Sequence, residues 1–156
     1  MSNNRKFYIN GEWVEPNGSD TVDVINPATE DVIGTIALGT HEDVDAAVAA
    51  AQNAFETFSQ TTVEERLELL NKITEIIGSR SEDLATAITS EMGAPSGLAK
   101  AAQAGTGLFH FATTAGILAN FNFEEELGKS LIVKEPVGVV GMITPWNWPI
   151  NQIACK

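Results

Sequence analysis

Between Val137 and Ile143 the chain reads Val-Gly-Val-Val-Gly-Met-Ile, with no polar residue and no alternation. A strand with one wet face alternates. A run without alternation suits a strand covered on both faces, as in a parallel sheet. The next residues, Thr144-Pro145-Trp146-Asn147-Trp148-Pro149, hold two prolines and two tryptophans. Proline takes a donor out of a helix or a central strand, so this segment reads as a shaped loop. Ile150–Lys156 then reads as the start of a helix, with Pro149 near its first turn. A parallel partner strand is reached through a crossover of about a dozen or more residues. Ile143 lies too near the end of the 156-residue sequence for a crossover and a further strand. The expectation is therefore the opening of an α/β unit whose remaining strands lie outside this sequence.

The residues before this run predict short strands and then helices. Lys6–Ile9 and Glu12–Val14 flank Asn10-Gly11, a strong hairpin signal because a type I′ turn needs φ > 0 at both central residues. Thr21–Ile25 and Val32–Ala37 are further β-type runs, separated at Asn26-Pro27, and together these segments suggest a small antiparallel sheet. Thr40 with Asp43, and Thr62 with Glu65, have the spacing of a capping box and open two helices. Val44, Ala47, Val48, Ala51, Phe55 and Phe58 form the apolar stripe of the first; Leu67, Leu70, Ile73 and Ile77 form that of the second, which Gly78 is placed to end. A third helix is expected over Ser81–Met92, stopped by Gly93 and Pro95, and a fourth over Ser96–Asn120. Gly105, Gly107 and Gly116 weaken that fourth helix or let another helix approach it closely. Glu124–Glu126 reads as the solvated flank of a turn or hairpin.

Charge narrows the classes of function. Nine Lys and Arg stand against 21 Asp and Glu, a formal net charge of −12. Binding a nucleic acid or an anionic membrane surface needs clustered cations, and this chain has the opposite excess. No apolar run has the length of a signal peptide or a membrane span, so a cytoplasmic location is expected. Cys155 is the single cysteine, which excludes an intrachain disulfide and a Cys-rich zinc site, and no metal-ligand spacing occurs. Gly138 and Gly141 lie inside the apolar run rather than after it, and Gly105-Thr106-Gly107 lies in a helical stretch. Neither is a phosphate-binding glycine motif.

The candidates for chemistry are therefore few. Asn147 sits in a rigid loop at the carboxyl end of the expected strand, where open α/β sheets bind ligands. Its NH₂ group suits a developing oxyanion. A turn asparagine bonded to its own backbone is the plainer alternative. Cys155 is a possible nucleophile, yet Lys156 beside it does not share its helix face, and His41 and His110 are remote in sequence. Taken alone, these residues suit a buried structural cysteine and structural or surface histidines.

Taken together, the stretches resemble the aldehyde dehydrogenase superfamily. Glu135 through Pro149, reading EPVGVVGMITPWNWP, is similar to that family's EPVGVVG and PWN-[FW]-P stretch. Tyr8–Trp13 resembles its opening hairpin, and Ile25–Glu30 its NPAT segment. Glu65-Arg66 fits a helix start, and Glu91-Met92-Gly93-Ala94-Pro95 a helix end. Their order and spacing cover essentially the whole chain, which corresponds to roughly the first third of such an enzyme. The resemblance implies an incomplete α/β fold: a small β segment, helices, and the start of a Rossmann-like parallel sheet. It divides the chain into residues 1–120 as the first part of a cofactor-binding domain, 121–137 as a hairpin like the family's oligomerisation arm, and 138–156 as first strand, PWN loop and helix start. Within this, Leu131–Val137 and the residues before it resemble the arm through which subunits associate.

The resemblance also implies chemistry. Such enzymes oxidise an aldehyde to a carboxylic acid through a cysteine thiohemiacetal and thioester, with NAD or NADP as hydride acceptor. Asn147 matches the oxyanion-hole asparagine. Ile143, Thr144, Pro145 and Trp146, with Asn147, match the loop along the nicotinamide. Trp148, Gln152 and Cys155 fall where the substrate tunnel is lined, and Lys156 matches a lysine common on this helix. Cys155 does not match the nucleophile, which is expected downstream together with the glutamate base. The 156 residues alone are thus expected to be inactive. The complete protein is expected to take an aldehyde as substrate and to form a homo-oligomer, a dimer or tetramer. The competing expectation is an autonomous, non-catalytic association module derived from that family.

Overall fold

The computed structural model describes residues 4–156. Antiparallel hairpins open the chain. β1 (Phe7–Ile9) pairs with β2 (Glu12–Val14) across Asn10-Gly11, whose φ angles of 53° and 81° meet the demand of the tight turn. β3 (Thr21–Ile25) pairs with β4 (Val32–Ala37), with a register shift between Val24 and Ile25. The connecting turn is held by Asn26: its side-chain oxygen accepts from the Ala28 amide at 2.9 Å, and its carbonyl accepts from Glu30 at 2.8 Å. Among the described residues the hairpins remain separate two-stranded sheets and do not merge into the one small sheet expected.

The helices start where the capping signals place them. α1 spans His41–Phe58 and α2 spans Val63–Ser79. At α2, Thr62 Oγ1 accepts from the Glu65 amide at 3.2 Å while Glu65 Oε2 accepts from the Thr62 amide at 2.8 Å. The helix runs one residue past Gly78. α3 spans Ser81–Met92 and ends at Gly93, whose φ of +80° is left-handed. A Cβ there would stand 2.5 Å from Pro27 Cγ, so the bare glycine lets the turn after β3 pack on the helix end.

The expected fourth helix is not uniform. It comprises α4 (Ser96–Leu98), a π-helical segment at Ala99–Gln103, and α5 (Ala104–Leu118). α2 packs along α5, and α3 packs on the π segment. The buried core here is Ala85, Ile88, Ala94, Ala99 and Ala104, with Leu84, Met92 and Ile150 against it. Small residues at this junction let the helices close in. By contrast, the expected apolar stripe of α1 is largely uncovered: Val44, Val48 and Phe58 are exposed.

β5 (Glu124–Leu127) and β6 (Ser130–Val133) form a third hairpin through Gly128, at φ +65°. Its base is fixed by aromatic contacts. Phe121 and Phe123 meet edge to face at 4.8 Å, with the Arg66 guanidinium 5.3 Å from the Phe123 ring centroid. α6 (Pro149–Ala154) closes the described chain.

The expected buried strand is also absent. Residues 137–143 form no strand and are not buried; Val137 and Ile143 are each 93% exposed. A parallel strand exists only through hydrogen bonds to neighbours on its edges, and no described strand pairs with this run.

Candidate functional site

α5 carries the platform for the loop. Gln103, Gly107 and His110 recur at i, i+4 and i+7, which places them on one helix face. Each meets the segment that follows the apolar run. Gln103 Nε2 donates to the main-chain carbonyl of Asn147 at 3.1 Å. Gly107 leaves room for Ile150, whose side chain fills the space that a Cβ would take. Asn151 Nδ2 lies 2.8 Å from His110 Nε2, at hydrogen-bond distance. Pro149 occupies the first turn of α6, where its missing N–H costs nothing.

This anchoring leaves the loop's side chains facing outward. Asn147 is exposed, and its recorded hydrogen bond is through its backbone, not an Asx-type bond from its side chain. Ile143, Thr144, Pro145 and Trp146 are exposed as well, Trp146 to 75%. Trp148 and Gln152 are half-buried. Gln152 Oε1 accepts from Lys156 Nζ at 3.0 Å, and Cys155 Sγ donates back to the Gln152 carbonyl at 3.8 Å. Gln152 in α6 is thus linked to Cys155 and Lys156, the two residues that follow the helix. Cys155 is exposed, which overturns the reading of a buried structural cysteine: it follows the end of α6, beyond the part of that helix packed on α5 and the π segment. Its carbonyl partner is a helical back-bond and does not activate a thiol.

An open apolar cleft of about 560 Å³ lies between α3 and α6, lined by Leu84, Ile88, Met92, Trp146 and Ile153 among others. Of the expected site residues Trp146 lines it. Among the described residues no group of three or more His, Cys, Asp and Glu is placed to hold a metal, and no helix is long and apolar enough to cross a membrane.

Sequence reasoning missed Gln103. The available signal was its place on the Gln103–Gly107–His110 stripe. A polar residue there, four before a helix-contact glycine, faces the same neighbour. The π segment hid that stripe, because its register shift breaks the pattern read from Ser96 onward.

The chain belongs to the aldehyde dehydrogenase family, whose model matches residues 13–156. It is 53% identical to a 3-succinoylsemialdehyde-pyridine dehydrogenase of a Pseudomonas species, over all of this chain and 33% of that protein. It is 50% identical to a putative aldehyde dehydrogenase of Staphylococcus aureus, again over all of this chain and 33% of the relative. Among solved structures, aldehyde dehydrogenase C of Pseudomonas syringae, in complex with NAD+ and octanal, superposes with a TM-score of 0.97 at 43% identity. That match covers 99% of this chain and 32% of the other. The chain thus spans about a third of the length of the curated relatives it matches. It corresponds to the amino-terminal portion of an aldehyde dehydrogenase, and an autonomous module is not favoured.

Proposed function

We propose that these residues supply the oxyanion donor and one wall of the cofactor and substrate sites in an NAD- or NADP-dependent aldehyde dehydrogenase. The observation that carries this reading is the split use of Asn147. Its carbonyl is pinned by Gln103, while its side chain stays exposed at the head of an anchored helix. A donor held by its backbone and free at its amide needs little reorganisation when negative charge develops on a substrate oxygen. The Asn147 Nδ2 group hydrogen-bonds that oxygen once it leaves the planar carbonyl geometry.

The exposed Ile143, Pro145 and Trp146 fit a flat, uncharged ring, and the Thr144 hydroxyl and the Asn147 amide add polar contacts. These residues would hold the nicotinamide side of NAD or NADP, which when bound accepts the hydride. Trp148, Gln152 and Cys155 line the path of the aldehyde, and Lys156 orients Gln152. The nucleophilic cysteine and the glutamate base come from outside these 156 residues, so this segment alone has no turnover. The complete enzyme works in the cytoplasm as a homo-oligomer, with the β5–β6 hairpin in the contact between subunits.

Replacing Asn147 tests the reading. In the full-length enzyme, Asn147→Ala lowers kcat for NADH formation by about 10²–10³-fold, equivalent to ~2.7–4 kcal/mol. A kcat within twofold of the parent would refute the assignment.

A further inference from the structure

Gln103 is 3% exposed, among the most buried polar residues described. It stands at the end of the π segment, between Ala99 and Ala104, which are themselves fully enclosed. Its Nε2 makes one long-range hydrogen bond, to the Asn147 carbonyl 44 residues away. Its Oε1 is buried with no hydrogen-bond partner among the described residues. Burying an amide with one end unsatisfied costs free energy, so this side chain is a poor device for stability alone. An apolar residue of the same volume would fill the site without that cost.

The π segment ends at Gln103, and from there ordinary helical spacing keeps Gln103 on the face that also carries Gly107 and His110. Those two hold α6 through Ile150 and Asn151. Among the described residues, Gln103 is the side chain that hydrogen-bonds the main chain of Asn147.

We propose that Gln103 is a positioning residue for the Asn147 amide: its hydrogen bond to the Asn147 carbonyl sets where the oxyanion donor points. The proposal rests on the oxyanion role argued above for Asn147. A displacement of about 1 Å at a catalytic group can cost on the order of 10²-fold in rate, and loss of one hydrogen bond to a loop still held by α6 is a smaller disturbance. About a tenfold loss in kcat is therefore expected.

The test is a double-mutant cycle in the full-length enzyme, with NAD+ and octanal as substrates and NADH formation as readout. Gln103→Met keeps the volume and removes the donor. Alone it lowers kcat by about tenfold and leaves KM for NAD+ unchanged. On an Asn147→Ala background it lowers kcat by less than about twofold, because the group it positions is gone. Equal losses on both backgrounds would make Gln103 a general structural residue and overturn the proposal, as would an unchanged kcat in the single variant. If Asn147→Ala itself leaves kcat unchanged, the oxyanion reading fails first and this proposal falls with it. Gln103→Ala, which matches its alanine neighbours, serves if the Met variant does not fold. Loss of folding in both would also overturn the proposal.

Discussion

Asp43 uses one carboxylate to join a helix start to a distant turn. Its Oδ2 accepts from the Thr40 amide at 2.8 Å, and its Oδ1 accepts from the backbone and side chain of Asn17 at 3.0 and 2.9 Å. The backbone amides of Thr40 and Asn17 hold its carboxyl below the usual carboxylate range. A lowered folded pKa stabilises above the unfolded value of about 3.9, and that contribution is lost as pH falls through the lower folded value. Asp43→Asn replaces one acceptor with a donor and meets an N–H with an N–H. Its melting temperature is expected to fall below that of the parent by a few degrees near neutral pH. Calorimetry across an acid series should show the gap closing only below about pH 4. The capping role was legible from Thr40 and Asp43 alone. The bond to Asn17 was not, because it spans 26 residues and depends on how the hairpin folds back.

At the scale of elements, the glycines of α5 separate into two kinds. A Cβ at Gly107 would overlap the Ile150 side chain, whereas one at Gly116 meets nothing within 4 Å. Gly107→Ala is expected to destabilise by about 1–3 kcal/mol through overpacking against α6, and to lower kcat because α6 carries the loop. Gly116→Ala is expected to stabilise by about 0.4–1 kcal/mol by restricting the unfolded chain. Denaturant unfolding of both variants checks the pair, and equal effects would contradict the packing assigned to Gly107. The sequence left open whether these glycines broke the helix or admitted a neighbour. At Gly107 the structure shows a close approach of α6. Helix starts were legible because a capping box is local. The π segment was not, since it goes with packing of Ala99 against Ala85 and Ile88 of α3 rather than with any local signal.

At the scale of the whole molecule, the apolar surface is unusually open. Val137, Ile143 and Trp146 are among the most exposed, and Val44, Val48 and Phe58 of α1 are uncovered as well. Patches of this kind in soluble proteins mark surfaces that bind something. The 156 residues expressed alone are therefore expected to bind a hydrophobic dye strongly. The full-length enzyme should bind the dye several-fold less. Weak dye binding and a monodisperse, cooperatively unfolding segment would contradict this, and would restore the reading of an independent module.

Taken by itself, the sequence determined the hairpin at Asn10-Gly11, the helix starts at Thr40 and Thr62, the stop at Gly93 and the shaped loop around Asn147. Each rests on dihedral limits or hydrogen bonds within a few residues. Only the tertiary structure decided that residues 137–143 stay unpaired here, that Cys155 is exposed, and that buried Gln103 holds the Asn147 carbonyl. Strand pairing, burial and a hydrogen bond across 44 residues depend on which surfaces meet in space, and the periodicity of a single segment does not carry that information.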